Sequence, residues 1–160
     1  MPIKRIGVLS NNHSIMRTNL LIILSFTMLL FSCKKDEEVA LAPSIEFKSI
    51  SSGSIKQYRD SVVILISYLD NNGDLGENET ETPNAFVKDL RNNLVYAFRI
   101  RQLAPDAAIA IKGNLEIVVP QVALVNSNSA SESATFEVYV KDRAGLESNK
   151  ITTSAVTIVP

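Results

Sequence analysis

Three oxygen-bearing side chains at alternate positions form the pattern in this chain that best suits metal chemistry. Asp70, Asn72 and Asp74 lie in the segment Asp-Asn-Asn-Gly-Asp-Leu-Gly, and glutamates follow at positions 77, 79 and 81. Carboxylate and amide oxygens are the ligands of hard cations, and Ca²⁺ takes roughly six to eight oxygens. Gly73 and Gly76 would let the backbone fold closely around such an ion. The spacing therefore identifies a candidate calcium site.

A second interpretation of this segment needs no metal. The calcium loop of EF-hand proteins has its invariant glycine at the sixth position, where this segment has Leu75, and the sequence predicts no flanking helices. Asn, Asp and Gly are also the commonest turn-forming residues. A solvated turn without metal is therefore the alternative, and the sequence alone favours it over calcium.

Cys33 is the only cysteine of the chain, and it directly follows an apolar segment. Residues 20–31 are apolar except for Ser25 and Thr27, basic residues precede them, and the first acidic residue is Asp36. This charge asymmetry is typical of a secretory signal. The 12 residues of this segment would rise about 18 Å as a helix, which is less than the roughly 30 Å of a membrane's hydrocarbon core. The segment therefore predicts a signal peptide rather than a membrane-spanning helix.

The tetrapeptide Leu30-Phe31-Ser32-Cys33 resembles the lipobox of bacterial lipoproteins. The resemblance implies cleavage just before Cys33, diacylation of its thiol and, usually, acylation of the new amino terminus. Each buried methylene contributes about 0.8 kcal/mol, so two or three acyl chains hold a protein firmly on a membrane. The membrane is therefore an expected partner, through the N-terminal lipid.

The charged residues after the cysteine resemble a second targeting signal. Lys35, Asp36 and Glu37 match the export signal of Bacteroidota surface lipoproteins, in which a lysine two positions after the cysteine precedes two acidic residues. The resemblance implies a protein anchored in the outer membrane and facing outward. A solvated linker is the alternative, because short charged runs are common.

The composition of the mature chain excludes several classes of function. The only histidine is His13, which precedes the cleavage site, so the mature chain has no Ser-His-Asp triad, no Cys-His pair and no zinc set of imidazole and thiolate. One cysteine cannot form an intrachain disulfide, and no glycine-rich phosphate loop occurs. We therefore expect no enzyme activity and no cofactor other than the candidate calcium ion.

The charge of the mature chain argues against nucleic acid as a partner. Three of the 16 basic residues (Lys4, Arg5, Arg17) lie in the signal, so 13 basic side chains remain against 17 acidic ones, a net charge of −4. The sequence has no basic stripe with interleaved aromatic residues.

Three regions follow along the chain. They are the lipoprotein signal peptide (1–32), the lipidated amino terminus with a flexible tether (33–43), and one folded domain (44–160). Removing residues 1–32 from the 160-residue chain leaves 128 residues, enough for one domain with a hydrophobic core.

The folded domain has the residue pattern of an all-β protein. Alternating or β-branched apolar segments predict strands at 45–50, 61–69, 85–90, 94–101, 115–119, 135–141 and 151–159. Alternation places Leu94, Tyr96, Phe98 and Ile100 on one face of 94–101, and Phe136, Val138 and Val140 on the inward face of 135–141. Segment 61–69 is apolar on both faces and is expected at the centre of a sheet, whereas residues 51–54 and 126–133 read as loops. No segment shows helical periodicity over three turns. The sequence therefore predicts an antiparallel sandwich of about seven strands.

The segment 136–149 resembles the final strands of bacterial immunoglobulin-like and fibronectin type III-like domains. In those domains an alternating apolar strand ends in Asp and turns through Ala-Gly; here Asp142 can cap turn amides and Gly145 can adopt a positive φ. The mature region also resembles small Bacteroidota lipoproteins with an Asp-Gly-rich loop after the second strand, a family that implies no biochemical activity. The resemblance implies a single immunoglobulin-like antiparallel β-sandwich.

These observations predict a non-catalytic, cell-surface lipoprotein of the outer membrane that acts in adhesion or as an accessory binding module, with a surface protein or glycan as its partner. The alternative is a glycan- or peptide-capturing subunit of a nutrient-uptake complex. Sugar sites usually lay an exposed aromatic ring against the sugar. This chain has no tryptophan, and strand alternation places only Tyr58 and Tyr139 outside.

We expect Cys33→Ser to abolish incorporation of labelled palmitate, because acylation needs the thiol, and to leave a larger precursor that still carries its signal. Ser32→Ala is the control, since it keeps a small residue before the cysteine and should be processed normally. Wild-type labelling of Cys33→Ser would contradict the lipoprotein interpretation.

Overall fold

The structure, a computed structural model, describes residues 42–78, 81–104 and 109–160. The signal peptide (1–32), Cys33 and the export residues Lys35, Asp36 and Glu37 lie outside these residues, so their assignments stay predictions. Within the described ranges, no helix is long and apolar enough to span a membrane.

The described residues contain ten β-strands and no helix, which confirms the all-β prediction. The strands are β1 (Ser44–Ile50), β2 (Ser54–Lys56), β3 (Val62–Asp70), β4 (Ala85–Asp89), β5 (Val95–Phe98), β6 (Ile111–Val119), β7 (Glu132–Ala134), β8 (Phe136–Val140), β9 (Ile151–Thr152) and β10 (Val156–Val159).

These strands form three hydrogen-bonded sheets rather than a single sandwich of about seven strands, so the predicted strand count was wrong. The sheet orders are β1-β3-β6, β5-β4-β8-β9 and β2-β10-β7. All strand pairs are antiparallel except β2 and β10, which are parallel. The predicted central strand, now β3, lies between β1 and β6.

One additional strand comes from the division of a predicted strand, and two others begin within segments predicted as loops. The predicted strand 151–159 is divided at Thr153, whose hydroxyl accepts the amide of Phe136 at 3.1 Å while its own amide donates to the Phe136 carbonyl at 2.9 Å. The hydroxyl occupies the place of a strand carbonyl, and regular pairing stops there. The two segments read as loops, 51–54 and 126–133, also run into the short strands β2 and β7.

One hydrophobic core connects the three sheets. Successive side chains of a strand point to opposite faces, and the alternate residues Val62, Ile64 and Ile66 of β3 are fully buried. The predicted inward residues of β8 are confirmed, since Phe136, Val138 and Val140 are also fully buried. The same core includes Ile45, Ile55, Ala85, Val87, Ile117, Val119, Ala134, Val156 and Ile158 from the other strands.

The predicted face of segment 94–101 is confirmed for three of its four residues. Ile100 is buried, and Tyr96 and Phe98 pack against the core. Leu94 is 50 % exposed, because it lies in the turn before β5, where its amide donates to the Asn92 side chain.

Two polar side chains connect segments that are distant in the chain. The Asn149 amide accepts a hydrogen bond from Ile45 N and donates one to Ile45 O, both at 2.9 Å, so it joins β1 to the segment before β9. The Arg91 guanidinium contacts the buried Asp89 carboxylate at 2.6 Å and Glu132 at 2.8 Å. These contacts fix the β4–β5 hairpin against β7.

Candidate functional site

The predicted metal-binding loop lies beside a turn that is distant in sequence. The loop follows β3, and Leu75 forms an isolated antiparallel bridge with Asp142, which comes soon after β8. The amide of Arg143 donates to the Asp74 carbonyl at 3.2 Å. The β3–β4 loop and the β8–β9 turn therefore form one junction, whose two acidic segments are almost seventy residues apart in the chain.

Asp70 organises the backbone of the loop. Its side chain is fully buried; Oδ2 accepts the amide of Leu75 at 2.7 Å and Oδ1 accepts the amide of Asn72 at 3.3 Å. Both oxygens therefore serve a turn, as the alternative interpretation of this segment predicts. The first residue of the predicted ligand set is structural in this arrangement.

The loop is packed into the protein rather than solvated. Gly73, Leu75 and Gly76 are buried, and the amide of Glu77 donates to the Ile100 carbonyl at 3.0 Å. Gly76 has a φ of +89°, and a Cβ at this position would collide with the Arg101 carbonyl. Glycine is therefore required here by both backbone conformation and close approach.

Three buried side-chain oxygens at this junction accept no hydrogen bond from the described part of the chain. They are Asn72 Oδ1, Asp74 Oδ1 and Asp142 Oδ2. Asp142 is only 6 % exposed, and its other oxygen, Oδ1, accepts the amide of Leu146 at 2.8 Å. The predicted capping role of Asp142 is thus confirmed, and its Oδ2 atom is one of the three unpartnered oxygens.

The electrostatic environment of Asp74 is strongly acidic. Burial raises the pKa of its carboxyl, and the neighbouring carboxylates of Asp142 and Asp70 raise it further. The guanidinium of Arg143 lowers that pKa, as does a backbone hydrogen bond. The net direction of the pKa shift is upward, with burial as its largest cause.

The remaining acids of the predicted loop are Glu77, Glu79 and Glu81. Glu81 is exposed, and Glu79 lies outside the described residues. In residues 42–78, 81–104 and 109–160, no three His, Cys, Asp or Glu side chains converge as a metal-ligand group. Any cation at the junction would therefore need amide or carbonyl oxygens as well as carboxylates.

A second feature is a row of side chains on the outer face of the β5-β4-β8-β9 sheet. Phe86 and Tyr139 face each other across β4 and β8, with ring centroids 4.8 Å apart and planes inclined by 14°. The ammonium groups of Lys141 and Lys150 lie 5.5 Å from the Phe86 centroid and 5.0 Å from the Tyr139 centroid, respectively. We call Phe86, Tyr139, Lys141 and Lys150 the aromatic row.

Sequence reasoning predicted Tyr139 on the outside but missed Phe86. Strand alternation within β4 could have predicted the outward position of Phe86. Ala85 and Val87 are fully buried, and the residue between them must point to the opposite face. The rings already contact each other and the two lysines. A sugar lying flat on either ring would have to displace these contacts.

Tyr58 is the other aromatic residue predicted outside. It is 68 % exposed and has a φ of +56°, a conformation uncommon for residues other than glycine. Among the described aromatic residues it is the one with a largely exposed ring.

A shallow depression lies over the outer face of the β1-β3-β6 sheet. Its volume is about 580 Å³, and its lining includes Glu46, Lys48, Lys112 and Asn114. Glu46 and Lys48 pair at 2.8 Å. The lining has charges of both signs, and it supplies no set of groups with a shared chemical role.

Comparison of the chain with protein-family models, curated proteins and solved structures gave no match. The functional inference therefore depends on the sequence motifs and on the geometry of these surfaces.

We expect Asp70→Ala to destabilise the domain in calcium-free buffer, because it leaves the buried amide of Leu75 without its acceptor. The expected loss is about 1–3 kcal/mol of unfolding free energy, measured by urea denaturation in the presence of chelator. Asp60→Ala is the matched control, since Asp60 accepts the exposed amide of Lys56 and its loss should be smaller. Equal stability of Asp70→Ala and wild type would refute the structural role.

Proposed function

We propose that this chain is an outer-membrane lipoprotein that displays one β domain on the cell surface and acts there by binding rather than catalysis. The observation that carries the proposal is the lipobox-like cysteine at position 33, followed by β1 beginning at Ser44. The roughly ten intervening residues span at most about 35 Å when fully extended. The domain would therefore stay near the membrane surface, where a partner on the same or a neighbouring cell is within reach.

The domain that we propose for display is an immunoglobulin-like sandwich of two layers. β7 and β8 are consecutive in the chain, separated by Thr135, and they pair with the consecutive strands β10 and β9. If β7 and β8 count as one interrupted strand, and β9 and β10 as another, two of the sheets become one layer. The strand order of this layer would be β5, β4, β8/β7, β9/β10 and β2, and the layer would lie opposite the β1-β3-β6 sheet. The core shared by all three sheets supports this arrangement.

Adhesion or accessory binding through protein contact is the function that the surface geometry favours. The aromatic row places two stacked, partly exposed rings and two ammonium groups on the outer face of the sheet. Tyr and Phe are enriched at protein interfaces, where they bury large areas at a small loss of conformational freedom. The mature chain, by contrast, has no histidine and a single cysteine that acylation would occupy, which argues against nucleophilic or general-base catalysis of the usual kinds.

Glycan capture as part of a nutrient-uptake complex is the second candidate. The observation that favours it is the exposed ring of Tyr58, which is free to lie against a sugar. A single tyrosine provides little area, and the rings of the aromatic row are already in contact with other side chains. Protein contact therefore remains the leading proposal.

We expect replacement of Lys35, Asp36 and Glu37 by alanine to keep the protein in the outer membrane but to protect it from protease added to whole cells. The reason is that the acylated cysteine is intact while the export signal is lost. Lys34→Ala is the control and should remain accessible. Unchanged proteolysis of the triple variant would show that Lys35, Asp36 and Glu37 act only as a spacer.

We expect isothermal titration of the purified protein with soluble polysaccharides to give no saturable heat. Tyr58→Ala tests the alternative, and Tyr58→Phe is its control because it keeps the ring. If wild type and Tyr58→Phe bind a polysaccharide saturably and Tyr58→Ala does not, glycan capture would become the leading proposal in place of adhesion.

A further inference from the structure

We propose that the junction of the β3–β4 loop and the β8–β9 turn is a calcium site in which Asp142 joins Asn72 and Asp74 as a ligand. The sequence pattern suggested only residues 70, 72 and 74. The structure replaces Asp70, whose oxygens hold the loop backbone, with an aspartate from a different part of the chain. The inference does not depend on lipidation or on the identity of the surface partner.

The buried carboxylate of Asp142 is the first observation that points to a cation. Its Oδ1 has a donor, but its Oδ2 has none among the described residues, although Asp142 is only 6 % exposed. A buried acceptor without a partner is destabilising, and more so when the group is charged. Buried polar groups of this kind are usually completed by an ordered water, an ion or another ligand.

The second observation is that the other orphaned oxygens belong to the same junction. Asn72 Oδ1 and Asp74 Oδ1 are buried and unpartnered as well. Asp74 is held next to the turn by the hydrogen bond from Arg143 N to its carbonyl, and Leu75 bridges to Asp142. The three unpartnered oxygens, two of them from carboxylates, therefore belong to two segments that backbone contacts hold side by side.

Carboxylates predominate around Asp74. Asp142 and Asp70 both act on it electrostatically, as does the opposite charge of Arg143. The Arg143 guanidinium also contacts the Gly76 carbonyl at 3.4 Å. A cation held by Asn72, Asp74 and Asp142 would lie next to two of these carboxylates.

The ligand chemistry favours calcium over other biological cations. All the donors are oxygens, and only two of the proposed side-chain ligands are carboxylates, which agrees with the lack of a three-acid group in the described residues. Calcium accepts amide and backbone carbonyl oxygens in flexible geometry, whereas magnesium requires a nearly ideal octahedron. Zinc prefers the imidazole and thiolate groups that the mature domain does not have.

The test compares thermal unfolding of the full-length protein, purified in detergent, in calcium, in magnesium and in chelator. At a hundredfold excess of free calcium over Kd, we expect the melting temperature of wild type to rise by at least about 5 °C. Magnesium should give a smaller rise. Titration calorimetry with calcium alone measures the affinity directly.

Two variants locate the ion. Asp142→Asn keeps an Oδ1 acceptor for Leu146 N and removes only the anionic oxygen, and Asp74→Asn leaves its backbone carbonyl contact intact. We expect each to weaken calcium binding at least tenfold and to remove most of the thermal shift. Glu116→Gln, at an exposed position on β6, removes one charge elsewhere and should keep the full shift.

Two outcomes would overturn the proposal. One is an identical melting temperature of wild type in calcium and in chelator, with no heat of calcium binding. The other is a calcium shift that survives in both Asp142→Asn and Asp74→Asn. A third result would also contradict the metal. If calcium has no effect on wild type and Asp74→Asn melts higher than wild type in chelator, then the negative charge at the junction is offset by protonation of Asp74 and by the guanidinium of Arg143.

Discussion

The shared hydrophobic core is the constraint on which the rest of this fold depends. It requires each strand to present alternate residues to one side, and β3 and β8 meet this requirement with three fully buried residues each. A shift of one residue in either strand would move its apolar set to the solvent face. The strand register is therefore fixed, and with it the place where each strand ends and its loop begins.

Polar side chains form hydrogen bonds with backbone groups that have no partner in a neighbouring strand. Unpaired backbone groups in a buried position are destabilising, and this domain pairs several of them with hydroxyl and amide groups. Ser148 accepts Val140 N through its hydroxyl and Thr153 does the same for Phe136, while Asn149 pairs with both backbone groups of Ile45. The Ser148 and Asn149 contacts lie in the turn that carries Asp142 and restrict its position, whereas the Thr153 contact lies at the opposite end of β8.

The acidic junction is a consequence of that restriction. Asp70 ends β3 as a buried acceptor and directs Leu75 back toward the β8–β9 turn, so Asp74 and Asp142 become neighbours although each also has a local structural role. The same rigidity places Phe86 and Tyr139 opposite each other on the outward face. Loops and outward positions on a fixed scaffold are where binding functions commonly reside, and both candidate surfaces are of that kind.

The sequence by itself determined the all-β class, the buried residues of β8 and the capping by Asp142, because these depend on alternation and on local turn chemistry. It could not determine the division of its last predicted strand, since that follows from a hydroxyl contact between Thr153 and Phe136. Nor could it reveal Asp142 as a neighbour of Asp74 or Phe86 as a partner of Tyr139. Such pairs are set by strand pairing between distant segments, and spacing along the chain contains no record of which strands will be adjacent.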